Sequence, residues 1–231
     1  MKIEPFKLER WLLRKSEIDV GGGGVVKFQL KDVVAHIDYE QLLTYGATNG
    51  SEELRSKVAG WFEGINADNV LITTATTEAN LLCNLHMLSP GDEYLSVYPV
   101  YEQTTGFAES LGCQIRKVLL DKNDSWRIDL DLLKKQVTGK TKVIFFDNPN
   151  NPTATVVNPT DLYAFLSDVP ESVIVVLDEA YVDFMEDELQ IDVYSLIRNS
   201  KNRCGVVSLR TFSKAYGLAG IRVGYGLMSA E

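Results

Sequence analysis

The stretch SVIVVLDEAY (172–181) runs from Val173 to Leu177 without a polar side chain and then sets Asp178 and Glu179 side by side. A strand with one wet face alternates apolar and polar residues. One that is covered on both faces reads as a continuous apolar run. This stretch is therefore expected to be an inner strand of a parallel sheet, with acid at its carboxyl end. Working outward, the same kind of run recurs at NVLIT (69–73), EYLSVY (93–98), QIRKVLL (114–120), KVIFFD (142–147), GVVSLR (205–210) and RVGYGL (222–227). Amphipathic segments lie between most of them, among them TEANLLCNLHML (77–88), YEQTTGFAESL (101–111) and PTDLYAFLSDV (159–169). The alternation predicts an α/β domain with a mainly parallel sheet and helices on both faces. The short connection between the last two runs is where the pattern is expected to break.

Residues 1–44 read differently. A helix is expected at 4–15, followed by Gly21 to Gly24 and a polar amphipathic stretch to Leu43. Four glycines in a row make a flexible hinge and lack the lysine and hydroxyl of a phosphate loop. The chain thus divides into an N-terminal arm, 1–44, and a main domain, 45–231.

With 231 residues, 45% of them hydrophobic, the chain can bury a substantial core. The net charge of −9 and the dispersed basic residues exclude a nucleic-acid surface. Charges interrupt the apolar positions of MKIEPFKLERWLLRK, and no stretch approaches the roughly 20 apolar residues of a membrane span, so neither a leader nor an anchor is expected. Cys83, Cys113 and Cys204 are odd in number and widely spaced, as in reduced cytoplasmic proteins. His36 and His86 stand apart from any Cys or acidic cluster of metal spacing, and His86 is expected in the core of a helix face. No G-x-S-x-G elbow is present to begin a hydrolase triad. The acidic stretch Asp183 to Asp192 reads as a solvated loop.

Ligands of open α/β sheets bind beyond the carboxyl ends of the strands. In this chain those ends are polar: Thr74-Ala75-Thr76-Thr77, then NPNNPT (148–153), then Asp178 to Tyr181, then Thr211-Phe212-Ser213-Lys214. A lysine half-sheltered among small residues loses solvation and gives up its proton readily, which suits an amine that attacks a carbonyl. A cofactor using such a lysine also needs an acid facing its pyridine nitrogen and a phosphate site. Asp178 fits the first need, and a helix start at Thr76-Thr77 the second.

The ordered set DNPNNPT (147–153), LDEAYVDF (177–184) and SLRTFSKAYGLAGIRVGYG (208–226) resembles the large domain of the class I/II aminotransferases, fold-type-I pyridoxal-phosphate enzymes, in their histidinol-phosphate aminotransferase-like branch. The resemblance covers about residues 40–231 and implies a seven-stranded sheet. It implies pyridoxal 5'-phosphate held by Lys214 as a Schiff base, with Lys214 also moving the proton, and Asp178 on the ring nitrogen. Asn151 and Tyr181 would hydrogen-bond the phenolic oxygen, and Tyr101 would stack on the ring. Arg222, Thr211, Ser213 and the backbone of Thr76 and Thr77 would bind the phosphate. The branch usually has Gly-Ala-Asp where this chain has Ala75-Thr76-Thr77. Tyr45 resembles the tyrosine that crosses to a partner's phosphate, with Gly50 and Arg55 in their usual relation to it, implying a homodimer.

The expected partners are an amino donor and a keto-acid acceptor. The family also continues into a small C-terminal domain of roughly 100 residues that grips the substrate carboxylate, so a fragment without it is expected to turn over weakly. Decarboxylation, C–S elimination and cyclisation use the same constellation and stand as alternatives. A non-catalytic regulator would need a DNA-binding module ahead of the domain, where only about 40 residues of mixed charge precede it.

Overall fold

A computed structural model of the chain describes residues 10, 28–34, 37–40, 42–198 and 204–230. The helix expected at 4–15, the run Gly21 to Gly24 and His36 lie outside the described residues, apart from Arg10. Helix α1 (Leu30–Val34) buries no side chain. Helix α2 (Glu52–Ala59) starts at Ser51, whose hydroxyl accepts the N–H of Leu54, and carries Glu52 and Glu53 in its first turn and Lys57 in its last, matching the helix dipole.

Strands and helices then alternate: β1 (Val70–Thr73), α3 (Ala75–Met87), β2 (Glu93–Tyr98), α4 (Glu102–Ser110), β3 (Gln114–Leu119), α5 (Leu130–Lys135), β4 (Thr141–Asp147), α6 (Pro159–Asp168), β5 (Ile174–Asp178), α7 (Val193–Arg198), β6 (Gly205–Thr211) and β7 (Gly224–Leu227). They form one sheet in the order β1-β7-β6-β5-β4-β2-β3. Strand β7 is antiparallel to β1 and β6, and every other pairing is parallel. The seven apolar runs are the seven strands, and the break falls at the short connection. A parallel return needs a crossover, usually a helix. Residues 212–223 contain no helix, so β7 comes back beside β6 in the opposite sense.

Side chains that alternate along the inner strands fill two cores. Ile144, Phe146, Val175, Leu177 and Val206 pack with Leu162, Phe165 and Leu166 of α6 on one face. Val143, Phe145, Val176 and Val207 pack with Ala79 of α3 and Ala108 of α4 on the other. Phe145 and Phe146 are both fully buried, on opposite faces. Each such side chain contributes roughly 2 kcal/mol.

His86 is exposed rather than in the core. Helix α3 buries Ala75, Ala79, Asn80 and Asn84. Its apolar stripe, Leu82 and Leu85, faces outward at 40% and 50% exposure, and His86 goes with it. The acidic stretch is solvated as expected, in two short 3-10 turns (Val182–Phe184 and Asp187–Leu189), with Ile191 as its buried anchor.

The β1-to-α3 turn rests directly on β7. A Cβ placed on Gly224 would lie 2.7 Å from both Cα and the carbonyl carbon of Ala75 and 2.9 Å from the carbonyl oxygen of Arg210. All three are backbone atoms, which cannot swing aside. Gly224→Ala is expected to lower stability by about 2 to 3 kcal/mol. Because the collision is with backbone, Ala75→Gly should not rescue it. Urea unfolding of the two single variants and the double variant measures this.

Candidate active site

Parallel strands β1, β4, β5 and β6 end on the same edge of the sheet, and their last residues set the site. Asp178 closes β5 and pairs across the ladder with Asp147, the last residue of β4. Asp178 is 5% exposed. Its Oδ2 accepts the Nδ2–H of Asn80 on α3 at 2.9 Å, and its Oδ1 accepts the N–H of Ala180 at 3.1 Å. Burial pushes the acid up to about 6, against the hydrogen bonds from Asn80 and Ala180 and the positive charge of Lys214, which pull it down.

Lys214 follows β6 and is half-buried, with Nζ 5.2 Å from the centroid of the Tyr181 ring. Tyr181, three residues past Asp178, and Asn151, in the turn after β4, line one cavity of about 520 Å³ together with Pro152, Phe184, Met185 and Leu189. Tyr101, half-buried at the start of α4, donates its N–H to Asp147 Oδ2 at 3.3 Å, and Asn151 donates its own to the same oxygen at 3.2 Å.

The residues expected at the phosphate also converge. Thr211 is the Cα partner of Gly224, and Gly224 touches Ala75, the residue before Thr76 and Thr77. Thr76 is half-buried and Thr77 exposed in the first turn of α3, where backbone N–H groups lack intrahelical partners. Ala75 takes φ +60°, a left-handed conformation that favours glycine. The Thr211 hydroxyl lies 2.9 Å from Ser213 Oγ and accepts the Ser213 N–H at 3.1 Å, which fixes this turn. Arg222 also has a left-handed backbone, φ +62°, is exposed, and donates Nη1–H to the Ala219 carbonyl at 3.0 Å. The guanidinium carries further N–H donors beyond this one. Tyr45 stands apart, with 106% relative exposure. Its loop is held by Arg55, which donates to the carbonyls of Gly50 at 3.2 Å and Ala67 at 2.7 Å.

Three groups escaped the sequence reading. Asn80 and Asn84 are buried polar residues four apart on a helix whose neighbours are apolar, and that spacing was a signal. Asp147 stood inside a quoted motif without a role. Glu179, 1% exposed, accepts hydrogen bonds on Oε2 from the Ser208 hydroxyl and from Arg210 Nε, the latter at 3.1 Å, forming a buried ion pair between β5 and β6. The thiol of Cys83 is pushed up to about 12 by burial and by the charge of Asp178. Cys83, Cys113 and Cys204 are free. Among the described residues no helix is long and apolar enough to cross a membrane, and no His, Cys, Asp and Glu group has metal-binding geometry.

A carboxylate, an amine, an amide and a phenol thus meet at the ends of three strands, next to a helix start. The sequence pattern of the family described as aminotransferase class I and II matches residues 17–231. The chain belongs to the class I and II aminotransferases. Among members of that family, histidinol-phosphate aminotransferase of Desulfotalea psychrophila is 39% identical over 79% of this chain and 48% of its own length. The aromatic amino acid aminotransferase of Cutibacterium acnes is 38% identical over 78% of this chain and 50% of its own. A crystal structure of a PLP-dependent aminotransferase from Streptococcus suis superposes with a TM-score of 0.84 at 27% identity, over 99% of this chain and 63% of that one. The chain spans about half the length of the curated aminotransferases it matches.

Because the Asp178 acid lies at about 6 in the folded chain against an ordinary 3.8, folding favours its protonated form. The corresponding stability is fully present below pH 3.8 and is lost as pH rises through about 6. Asp178→Asn does not titrate. The unfolding free energy of this variant, compared with wild type in cofactor-free protein, is expected to move in its favour by on the order of 2 to 3 kcal/mol between acid and neutral pH. Denaturant unfolding across that range gives the comparison, and a difference that stays constant with pH would contradict the assignment.

Proposed function

We propose that residues 45–231 are the cofactor-binding part of an aminotransferase that uses pyridoxal 5'-phosphate to move an amino group from an amino acid or related amine to a keto acid. Residues 1–44 form its arm. The observation that carries the reading is the juxtaposition of a buried carboxylate, Asp178, with a half-buried amine, Lys214, beside Tyr181. The similarity to named aminotransferases supports it.

The donor set fits this cofactor group by group. Asp178 suits a protonated ring nitrogen, Lys214 an aldehyde, and Asn151 and Tyr181 a phenolic oxygen. Tyr101 offers a ring face. Thr76, Thr77, Thr211, Ser213 and Arg222 supply N–H, hydroxyl and guanidinium donors for a phosphate dianion. Bound there, pyridoxal phosphate would supply an electron sink for the pair released when a bond at the substrate α-carbon breaks. Asp178 would keep the ring nitrogen protonated, since a carboxylate buried among few countercharges is most stable opposite a cation. Lys214 would hold the cofactor through its amine and would move the proton at the substrate α-carbon.

Full exposure of Tyr45 on a loop anchored by Arg55 supports a homodimer in which Tyr45 completes the partner's phosphate site. Three free thiols support a cytoplasmic location.

Borohydride reduction of the chain with pyridoxal phosphate, followed by peptide mass mapping, tests the reading. One stable adduct at Lys214 is expected, lost in Lys214→Ala. Adducts scattered over surface lysines to the same extent in both proteins would refute it.

A further inference from the structure

Strand β4 ends on a carboxyl group to which the proposed cofactor chemistry gives no task. Asp147 is 3% exposed. Its Oδ2 accepts two backbone N–H groups, from Tyr101 at 3.3 Å and from Asn151 at 3.2 Å. Its Oδ1 is buried and has no hydrogen-bond partner among the described residues. Its cross-strand neighbour is a second buried carboxyl, Asp178.

For packing alone this is a poor arrangement. Two acids side by side at buried strand ends disfavour each other's charge, and burial together with the neighbouring Asp178 pushes the Asp147 acid well above the usual carboxylate range. An apolar side chain of similar volume would normally serve such a position at least as well. What an apolar side chain cannot do is accept hydrogen bonds. Tyr101 belongs to the β2-to-α4 connection and Asn151 to the β4-to-α6 turn, segments far apart in the chain. Both are short of donors, because Pro99, Pro149 and Pro152 have no N–H. Asn150 reinforces the same junction by donating Nδ2–H to the Pro99 carbonyl at 3.2 Å.

We infer that Asp147 is a positioning residue: its Oδ2 ties the backbones of Tyr101 and Asn151 to one atom, fixing the aromatic ring and the amide that meet the cofactor relative to each other. This rests on the cofactor reading above, in which Tyr101 covers the ring and Asn151 meets its phenolic oxygen. Asp178 has the Asn80 amide, the Ala180 N–H and the Lys214 charge around it and is the better-stabilised anion. Of the two, Asp147 is the acid held further towards its neutral form, and an asparagine in its place can accept the same two N–H groups.

The test compares wild type, Asp147→Asn and Asp147→Leu. Pyridoxal phosphate titration gives affinity and the absorption band of the bound cofactor. Amide exchange of the cofactor-free proteins follows peptides containing Tyr101 and Asn151. Asp147→Leu is expected to weaken cofactor binding about tenfold, to shift the absorption band, and to speed exchange at both amides about tenfold. Asp147→Asn should stay within about twofold of wild type on each count. If leucine is not accommodated, Asp147→Ala serves the same comparison. Unchanged binding and absorption in the leucine variant, or equal damage in the asparagine variant, would overturn the inference. Should wild type not bind the cofactor at all, the functional reading fails. The amide exchange still decides the tie, and unchanged exchange in the leucine variant would disprove it.

Discussion

A parallel sheet covered on both faces leaves almost no place for charge within its strands. In this chain β4 and β5 carry Val, Ile, Leu and Phe along their length, and their acids stand where the strands stop. The site follows from that exclusion. Asp147 and Asp178 end neighbouring strands, Thr211 ends the next, and Lys214 comes within one turn of it. Carboxylates buried at such strand ends are then hard to ionise without a cation nearby.

The exclusion also divides the buried charges by role. Glu179 has a countercharge of its own in Arg210, whose guanidinium lies 5.0 Å from the centroid of the Phe62 ring, and so this pair is closed to a ligand. Asp178 has only neutral donors and the nearby Lys214. Two adjacent acids in the DEAY motif thus differ: Asp178 is held by the amide of Asn80 and the N–H of Ala180, while Glu179 ties the end of β5 to β6 through Ser208 and Arg210. Side chains of successive residues in an extended chain point to opposite sides, which separates the two environments over a single peptide unit.

Much of this was legible in the sequence. Each apolar run became a strand because a two-face-covered strand has no other composition, and the ordered motifs identified Lys214, Asp178, Asn151 and Tyr181 as strand-end groups. What periodicity misjudged was α3. There the leucine stripe that normally marks a buried face points outward, since the inner face must carry Asn80 to reach Asp178 and small residues such as Ala79 to approach the sheet. The RVGYGL run exceeds its strand by two residues, because Arg222 adopts a left-handed backbone and the strand begins only at Gly224. Asp147 stayed silent because its function depends on backbone amides from two distant loops, which no local pattern encodes.

The sheet order has a consequence for how the molecule comes together. Among the described strands β1 pairs with β7 alone, so the earliest strand of this sheet waits for the latest. While the chain emerges during synthesis, β2 to β6 can assemble in sequence, but Val70 to Thr73 and the start of α3 have no sheet to join until Gly224 to Leu227 have been added. Pairings between such distant segments form late and slowly. The turn that the proposal assigns to the phosphate is built across that same β1–β7 seam, so it is completed only when the sheet itself closes.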